Sequence, residues 1–178
     1  VSLESGNGVY IDNFPWRGNT GVSFKEIQDN VYEGFKKHLN YKLIILSFGA
    51  NMLASGVVNF AWYEKQMTDI ITLLKSHFPQ TSILIIGMGD KSMKRGTRFM
   101  TDPNVPKLVE LQKNIAQKTG VAFWNKYEAM GGENSMLEWV NSNPPLGTKD
   151  YGHLTLQGSK KMGQMISQTL LDAFYSSK

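Results

Sequence analysis

Three observations predict an α/β fold, a parallel sheet held between two layers of helices. Short, continuously apolar runs of strand length alternate with helix-length segments whose apolar residues recur every three or four positions. The strand-like runs lack the polar alternation of a half-solvated sheet, as expected where helices cover both faces. Glycines and polar residues gather where those runs end.

Taken in order, residues 9–13 read as a first short strand. Ser23 then opens a helix with a capping box, because Glu26 follows three positions later, and Phe24, Ile27, Val31 and Phe35 form its inner face. Residues 42–48 read as a buried strand ending at Gly49. Phe60, Tyr63, Met67, Ile70, Leu74 and Phe78 stand at helical spacing, closed by Pro79. A second buried strand at residues 82–88 ends at Gly87 and Gly89. Pro106 suits a first helical turn, Leu108, Leu111 and Ile115 continue that helix inward, and Gly120 closes it. Residues 121–124 make a short strand. The last helix runs over residues 156–174 with Met162, Ile166, Leu170 and Phe174 inward. Strand and helix thus alternate throughout, which requires crossover connections and a parallel sheet.

The chain has 178 residues, enough for one domain with one core. No run reaches the length of a membrane-spanning helix. Without cysteine there is no disulfide, thiolate metal site or cysteine nucleophile. The formal charge is +4, with basic residues scattered at Lys36-Lys37, residues 91–98 and Lys160-Lys161. No nucleic-acid motif accompanies them, so nucleic acid is not an expected partner. The three histidines have no metal-site spacing, and no cofactor is expected. The start at Val1 reads as that of a processed or partial chain.

In open parallel sheets, ligands bind at the carboxyl ends of the strands. Residues 17–21, 49–52, 89–91 and the loop 127–153 should therefore meet on one rim. Within them, Asp150-Tyr151-Gly152-His153 places a carboxylate beside a histidine. A histidine that takes a proton from a hydroxyl needs such a partner to fix its tautomer and stabilise the imidazolium. A solvated loop histidine is the plainer reading of that turn alone. Gly49-Ala50-Asn51 can direct an amide at a developing oxyanion, or merely close a turn. Gly21, in Arg17-Gly18-Asn19-Thr20-Gly21, can turn a backbone N–H into the same pocket, or serve an ordinary strand-to-helix connection.

Together, in this order, these blocks resemble the SGNH hydrolases, also called GDSL esterases, over most of the chain. Gly21 matches the glycine block, Asn51 the asparagine block, and Asp150 with His153 the final block. The run Ala122-Phe-Trp-Asn-Lys-Tyr-Glu-Ala-Met-Gly-Gly-Glu-Asn-Ser-Met-Leu-Glu-Trp139 is similar to the branch containing peptidoglycan O-acetylesterases and Bacteroidetes-type acylhydrolases. The resemblance implies a three-layer, flavodoxin-like α/β/α fold and a serine esterase acting on an acetylated carbohydrate, periplasmic or extracellular. It assigns His153 as general base, Asp150 as its orienter, and Asn51 with the Gly21 amide as oxyanion donors. Asp90, Trp124, Met130 and Gly131 are candidates for substrate contact; for Asp90 a turn role, and for Trp124 core packing, are the plainer alternatives.

Two departures accompany the likeness. Met52 stands where the family often has an acid. The Gly-Asp-Ser nucleophile block is absent. Ser5 lacks the preceding Gly-Asp, Ser23 caps a helix, Ser47 falls inside a strand and Ser135 in the late loop. The expected nucleophile is a serine on an upstream segment of the same protein, together with a missing N-terminal strand; residues 1–8 would end an inserted β-sandwich. The rival reading is an inactive carbohydrate-binding or scaffold protein on an esterase fold.

Overall fold

The computed structural model of the chain describes residues 8–15, 18–53 and 59–176. Ser5, Arg17 and the proposed tail of a β-sandwich at residues 1–7 lie outside them; Gly8, the last residue of that proposed tail, is an exposed bend.

Three parallel strands form the central sheet in the order β1 (Leu43–Leu46), β2 (Ser82–Ile86), β5 (Ala122–Trp124). The register sets Leu46 beside Ile85, and Ile85 beside Phe123. Helices α1 (Asp29–His38), α2 (Phe60–His77) and α3 (Asn104–Thr119) supply the cover for one face. Ile44, Leu46, Ile83 and Ile85 pack there with Tyr32, Tyr63, Met67, Ile70, Leu74, Leu108 and Ile115. Burying such side chains is worth roughly 1.5–3 kcal/mol each, so this layer is the main stabilising unit. Pro106 sits in the first turn of α3, and Gly120 ends that helix at φ 60°, a conformation glycine adopts without strain.

On the other side lies a smaller cluster. Met130 of α4 (Lys126–Met130) and Met136 and Trp139 of α5 (Ser135–Asn141) pack with Met162 of α6 (Leu156–Ser176). The α6 helix enters tightly: a Cβ on Gly158 would lie 2.0 Å from the Leu146 carbonyl oxygen. The fold is therefore α/β with helices flanking a parallel sheet, as the alternating pattern predicts.

Four expectations require correction. Residues 9–13 form no strand and are exposed; no strand among the described residues pairs with them, and Asp12 instead accepts from the Tyr41 hydroxyl at 2.6 Å. The Ser23 capping box does not form. Gly21, at φ 96°, instead starts a 3-10 turn over Val22–Glu26, Ile27 is extended, and α1 begins only at Asp29. That later start rotates the buried face to Tyr32 and Phe35 and leaves Val31 exposed. In α6, Met162 is buried, but Leu170 and Phe174 are exposed at 38% and 55%. Full burial along α6 stops within its first two turns, at Gly158 and Met162. Finally, a β-hairpin of β3 (Ser92–Arg95) and β4 (Arg98–Thr101) stands where no strands were expected.

The outer edge of β1 has no partner strand among the described residues. Strand alternation turns Leu43 and Ile45 away from the main core, and Ile45 is 44% exposed. For a strand in a parallel sheet this is unusual exposure.

Candidate active site

The late loop begins after α5, where Gly147 and Leu154 form an isolated antiparallel bridge and the Thr148 N–H donates to the His153 carbonyl at 2.9 Å. This pinched loop brings Asp150 back onto His153. Tyr151 takes φ 56°, rare for a bulky residue, and is held there by its neighbours. Its carbonyl accepts the Ser92 N–H at 2.9 Å, and its ring stacks on Phe99 at 3.9 Å between centroids.

The result is a close pair: His153 Nδ1 lies 2.6 Å from Asp150 Oδ2. The other oxygen, Oδ1, accepts from the Thr148 hydroxyl (2.6 Å) and the N–H groups of Gly152 (2.9 Å) and His153 (3.0 Å). The Thr148 hydrogen bond, with the backbone and His153 bonds added, holds the Asp150 carboxyl well below the usual range despite some desolvation. It is therefore an anion at neutral pH, and its bond to Nδ1 leaves Nε2 as the ring's acceptor. The His153 side chain is 83% exposed, and no described hydroxyl bonds its ring.

Across the rim, Asn19 joins the two predicted oxyanion donors. Asn51 Nδ2 donates to the Asn19 backbone carbonyl at 2.8 Å, and the Gly21 N–H donates to Asn19 Oδ1 at 2.6 Å. A side-chain amide has two hydrogens, so Asn51 is oriented by one and retains the other. Gly21 has a single N–H and must exchange Asn19 for any oxyanion. Asn19 also donates to Ser23 Oγ at 2.5 Å, which is what that serine does in place of capping a helix.

Gln112 of α3 fixes the strand exits. Its Oε1 accepts the Met88 N–H at 2.7 Å; its Nε2 donates to the Phe48 carbonyl at 2.8 Å and the Tyr63 hydroxyl at 2.9 Å. Burial pushes the Tyr63 hydroxyl up to about 12, so it stays a neutral partner. Gly49 lies at φ 131°, and a Cβ there would come 3.0 Å from Gln112 Nε2. The glycine thus lets the turn before Asn51 pass the clamp. Nothing but its place in the stripe between Leu108 and Ile115 marks Gln112 in the sequence.

These segments surround a cavity of about 90 Å³ lined by Ser47, Ala50, Asp90, Lys126, Met130 and Gly152, among others. Of the segments expected to meet, 49–52, 89–91 and the late loop reach the cavity through Ala50, Gly89, Asp90, Met130, Met136 and Gly152. Residues 18–21 join them through the Asn19–Asn51 contact, and Gly21, Asn51, Asp150 and His153 stand outside the lining itself. Ser47 does not lie inside a strand: β1 ends at Leu46, and Ser47 is exposed at the cavity. Asp90 is buried, with Oδ1 accepting from Thr101 Oγ1 and Oδ2 from the Met136 N–H, both at 2.8 Å. Its carboxylate is committed to anchoring β4 and α5. Met130 lines the cavity from below, whereas Gly131 at φ 118° ends α4. Alternation along β5 gives Phe123 to the main core and turns Trp124 to the smaller cluster, where it lines a surface groove with Met165 and Gln168 of α6. Trp124 is not brought to the cavity.

Lys126 was not foreseen in the sequence. It reaches the cavity beside Gly89, where a Cβ would lie 2.9 Å from its Cε, and its ammonium has no acceptor among the described residues. Burial lowers its pKa. No described cluster of histidine, aspartate and glutamate could hold a metal ion, and no described helix is long and apolar enough to cross a membrane.

No protein-family model matches the chain, and no curated protein does. Solved structures do. A peptidoglycan O-acetylesterase superposes with TM-score 0.79 at 22% identity, over 89% of this chain and 45% of that one. A GDSL-like lipase from Bacteroides thetaiotaomicron gives 0.57 at 23% identity, over 88% and 73%. An acetyl xylan esterase gives 0.53 at 15%, over 88% and 76%. The chain thus spans less than half the length of the O-acetylesterase. Its fold is that of the SGNH/GDSL hydrolases.

Proposed function

We propose that the chain is the histidine- and oxyanion-bearing part of a serine esterase that removes O-acetyl or similarly short acyl groups from a carbohydrate. The observation that carries this reading is the Asp150–His153 pair, 2.6 Å apart and open to solvent beside a cavity at the strand exits. An Asp fixed by three further hydrogen bonds, with its histidine otherwise free, is the arrangement a hydroxyl nucleophile requires. The named activities of the neighbouring folds, O-acetylesterase and acetyl xylan esterase, support the reaction class and the carbohydrate substrate. An O-acetylated envelope or extracellular polysaccharide would place the enzyme in the periplasm or outside the cell.

In this mechanism a serine hydroxyl attacks the ester carbonyl while His153 Nε2 takes its proton, and Asp150 stabilises the imidazolium. The second hydrogen of Asn51 Nδ2, the Gly21 N–H once released by Asn19, and the serine's own N–H receive the oxyanion. Each donor is worth roughly 3 kcal/mol of barrier. His153 returns the proton to the departing sugar oxygen, and water repeats the sequence to free the acid.

The serine is assigned to a segment preceding residue 1, on a strand pairing with the open edge of β1. That placement would bring a strand exit alongside Ser47 and Asn51. One observation favours a second reading, in which Ser47, the serine that lines the cavity, is the nucleophile.

The test is ester hydrolysis by the longer protein that includes the preceding segment, on 4-nitrophenyl acetate and on acetylated polysaccharides. His153→Ala should lower kcat by at least about 10³-fold and Asn51→Ala by about 10²-fold. Undiminished turnover in His153→Ala would refute the esterase assignment. Loss of activity in Ser47→Ala, with the 178-residue chain active alone, would move the nucleophile to Ser47. Glycan binding without any turnover would favour the scaffold reading.

A further inference from the structure

Residues 91–98 contain Lys91, Lys94, Arg95 and Arg98 and no acid. With these four set aside, the fifteen other basic side chains balance the fifteen acidic ones, so the whole formal charge of +4 resides in this segment. The fold places this segment on the β3–β4 hairpin, with Lys91 just before β3. Its two-residue turn is Gly96-Thr97, with Gly96 at φ 60°.

The register sets Arg95 directly opposite Arg98, and facing like charges destabilise a strand pair. Nothing compensates for this. Lys94, Arg95 and Arg98 are exposed, and none of the four cations joins an ion pair among the described residues. A cost retained at the tip of an arm indicates an external anion.

The arm is joined to the catalytic loop. The Ser92 N–H donates to the Tyr151 carbonyl, Phe99 stacks on Tyr151, and the stem of Lys91 lies 3.8 Å from the position of a Cβ on Gly152. Four residues per strand extend the hairpin by about 13 Å. The tip charges therefore reach parts of a polymer some distance from the scissile ester. Lys126, without an acceptor inside the cavity, adds a fifth cation at the inner end of the same path.

We infer that the β3–β4 hairpin is a substrate arm for a carboxylate-bearing glycan, with Lys94, Arg95 and Arg98 holding acidic sugars that flank the acetylated one. This rests on the esterase reading: only a polymer that presents an ester to His153 gains from an arm built on its loop. A nucleic acid would meet the charges but offers no such ester.

The experiment compares the longer protein with its K94Q/R95Q/R98Q variant and with a K36Q/K37Q/K107Q variant, which loses the same charge on α1 and α3. Substrates are acetylated polygalacturonate and acetylated xylan of equal acetyl content. Non-acetylated polygalacturonate serves as a binding probe that needs no turnover. The hairpin variant should lose about tenfold in the ratio of kcat/KM on the acidic over the neutral polymer, as expected from three exposed ion pairs. It should also lose binding to polygalacturonate, which salt should weaken in the parent. The control variant should keep the parent's ratio and binding. An unchanged ratio in the hairpin variant, equal losses in both variants, or parental binding of single-stranded DNA as tight as of polygalacturonate would overturn the inference. Failure of the parent to hydrolyse 4-nitrophenyl acetate would instead refute the esterase reading, leaving the binding measurement to judge the hairpin.

Discussion

Asp150 has both oxygens engaged although its side chain is more than half exposed. Thr148 is the leading cause of its depressed pKa, ahead of the Gly152 and His153 bonds. A carboxyl whose folded pKa lies below its unfolded value of about 4 adds stability above that value and loses it as the pH falls toward the folded one. In Thr148→Val the folded pKa should therefore rise toward 4, and acid unfolding should begin at a higher pH. Carboxyl-carbon NMR titration of Asp150 checks the first and a circular dichroism acid titration the second; an unmoved Asp150 resonance would show that the backbone donors suffice. The Asp150–His153 pair was legible in the sequence because its geometry is local, four residues on one turn. Thr148 was less so, and Gln112, Lys126 and Asn19 not at all. The partners of Gln112 and the glycine beside Lys126 lie across the fold, and spacing along the chain carries no trace of those contacts. Asn19 bonds Gly21 and Ser23 nearby, but nothing in its turn marks the reach to Asn51.

At the level of elements, helices with a regular apolar stripe were readable: α2 and α3 lie nearly where periodicity puts them, since a buried face must repeat every turn. The hairpin was not, because only its end residues Ser92 and Thr101 are buried, both polar, and the rest carries no apolar alternation. The capping box at Ser23 failed because the left-handed Gly21 and the Asn19 contacts claim that segment first. A sharper test of how elements seat the site is the junction of α6 with the late loop. Gly158 is buried against the Leu146 backbone, which cannot yield as a side-chain tip could. Gly158→Ala should cost about 1–3 kcal/mol or more despite the better helix propensity of alanine. A lowered thermal midpoint, accompanied by loss of the His153–Asp150 NMR signature, would show that α6 positions the loop. An unchanged or raised midpoint would show that the loop adjusts freely.

On the scale of the whole molecule, the sheet is asymmetric. Beyond β2 and β5, helices cover both faces; at β1, Leu43 and Ile45 are exposed, as are Leu170 and Leu171 toward the end of α6. The predicted inward face of α6 is apolar for its whole length, yet of Met162, Ile166, Leu170 and Phe174 only Met162 is buried. The open edge and the outward Leu43 and Ile45 suit one additional parallel strand along β1. Alternate residues of a strand direct their N–H groups to opposite neighbours, so half of the β1 amides point to the open edge. Hydrogen exchange on the 178-residue chain should then find the outward amides of residues 43–46 fast and the inward ones slow. In the longer protein that includes the preceding segment, the outward set should slow by orders of magnitude, and the apolar dye response of the Leu43 and Ile45 surface should fall with it. If outward amides exchange equally fast in both, no strand docks on β1. The serine would then have to reach His153 by another route, and Ser47, already at the cavity, would become the leading candidate.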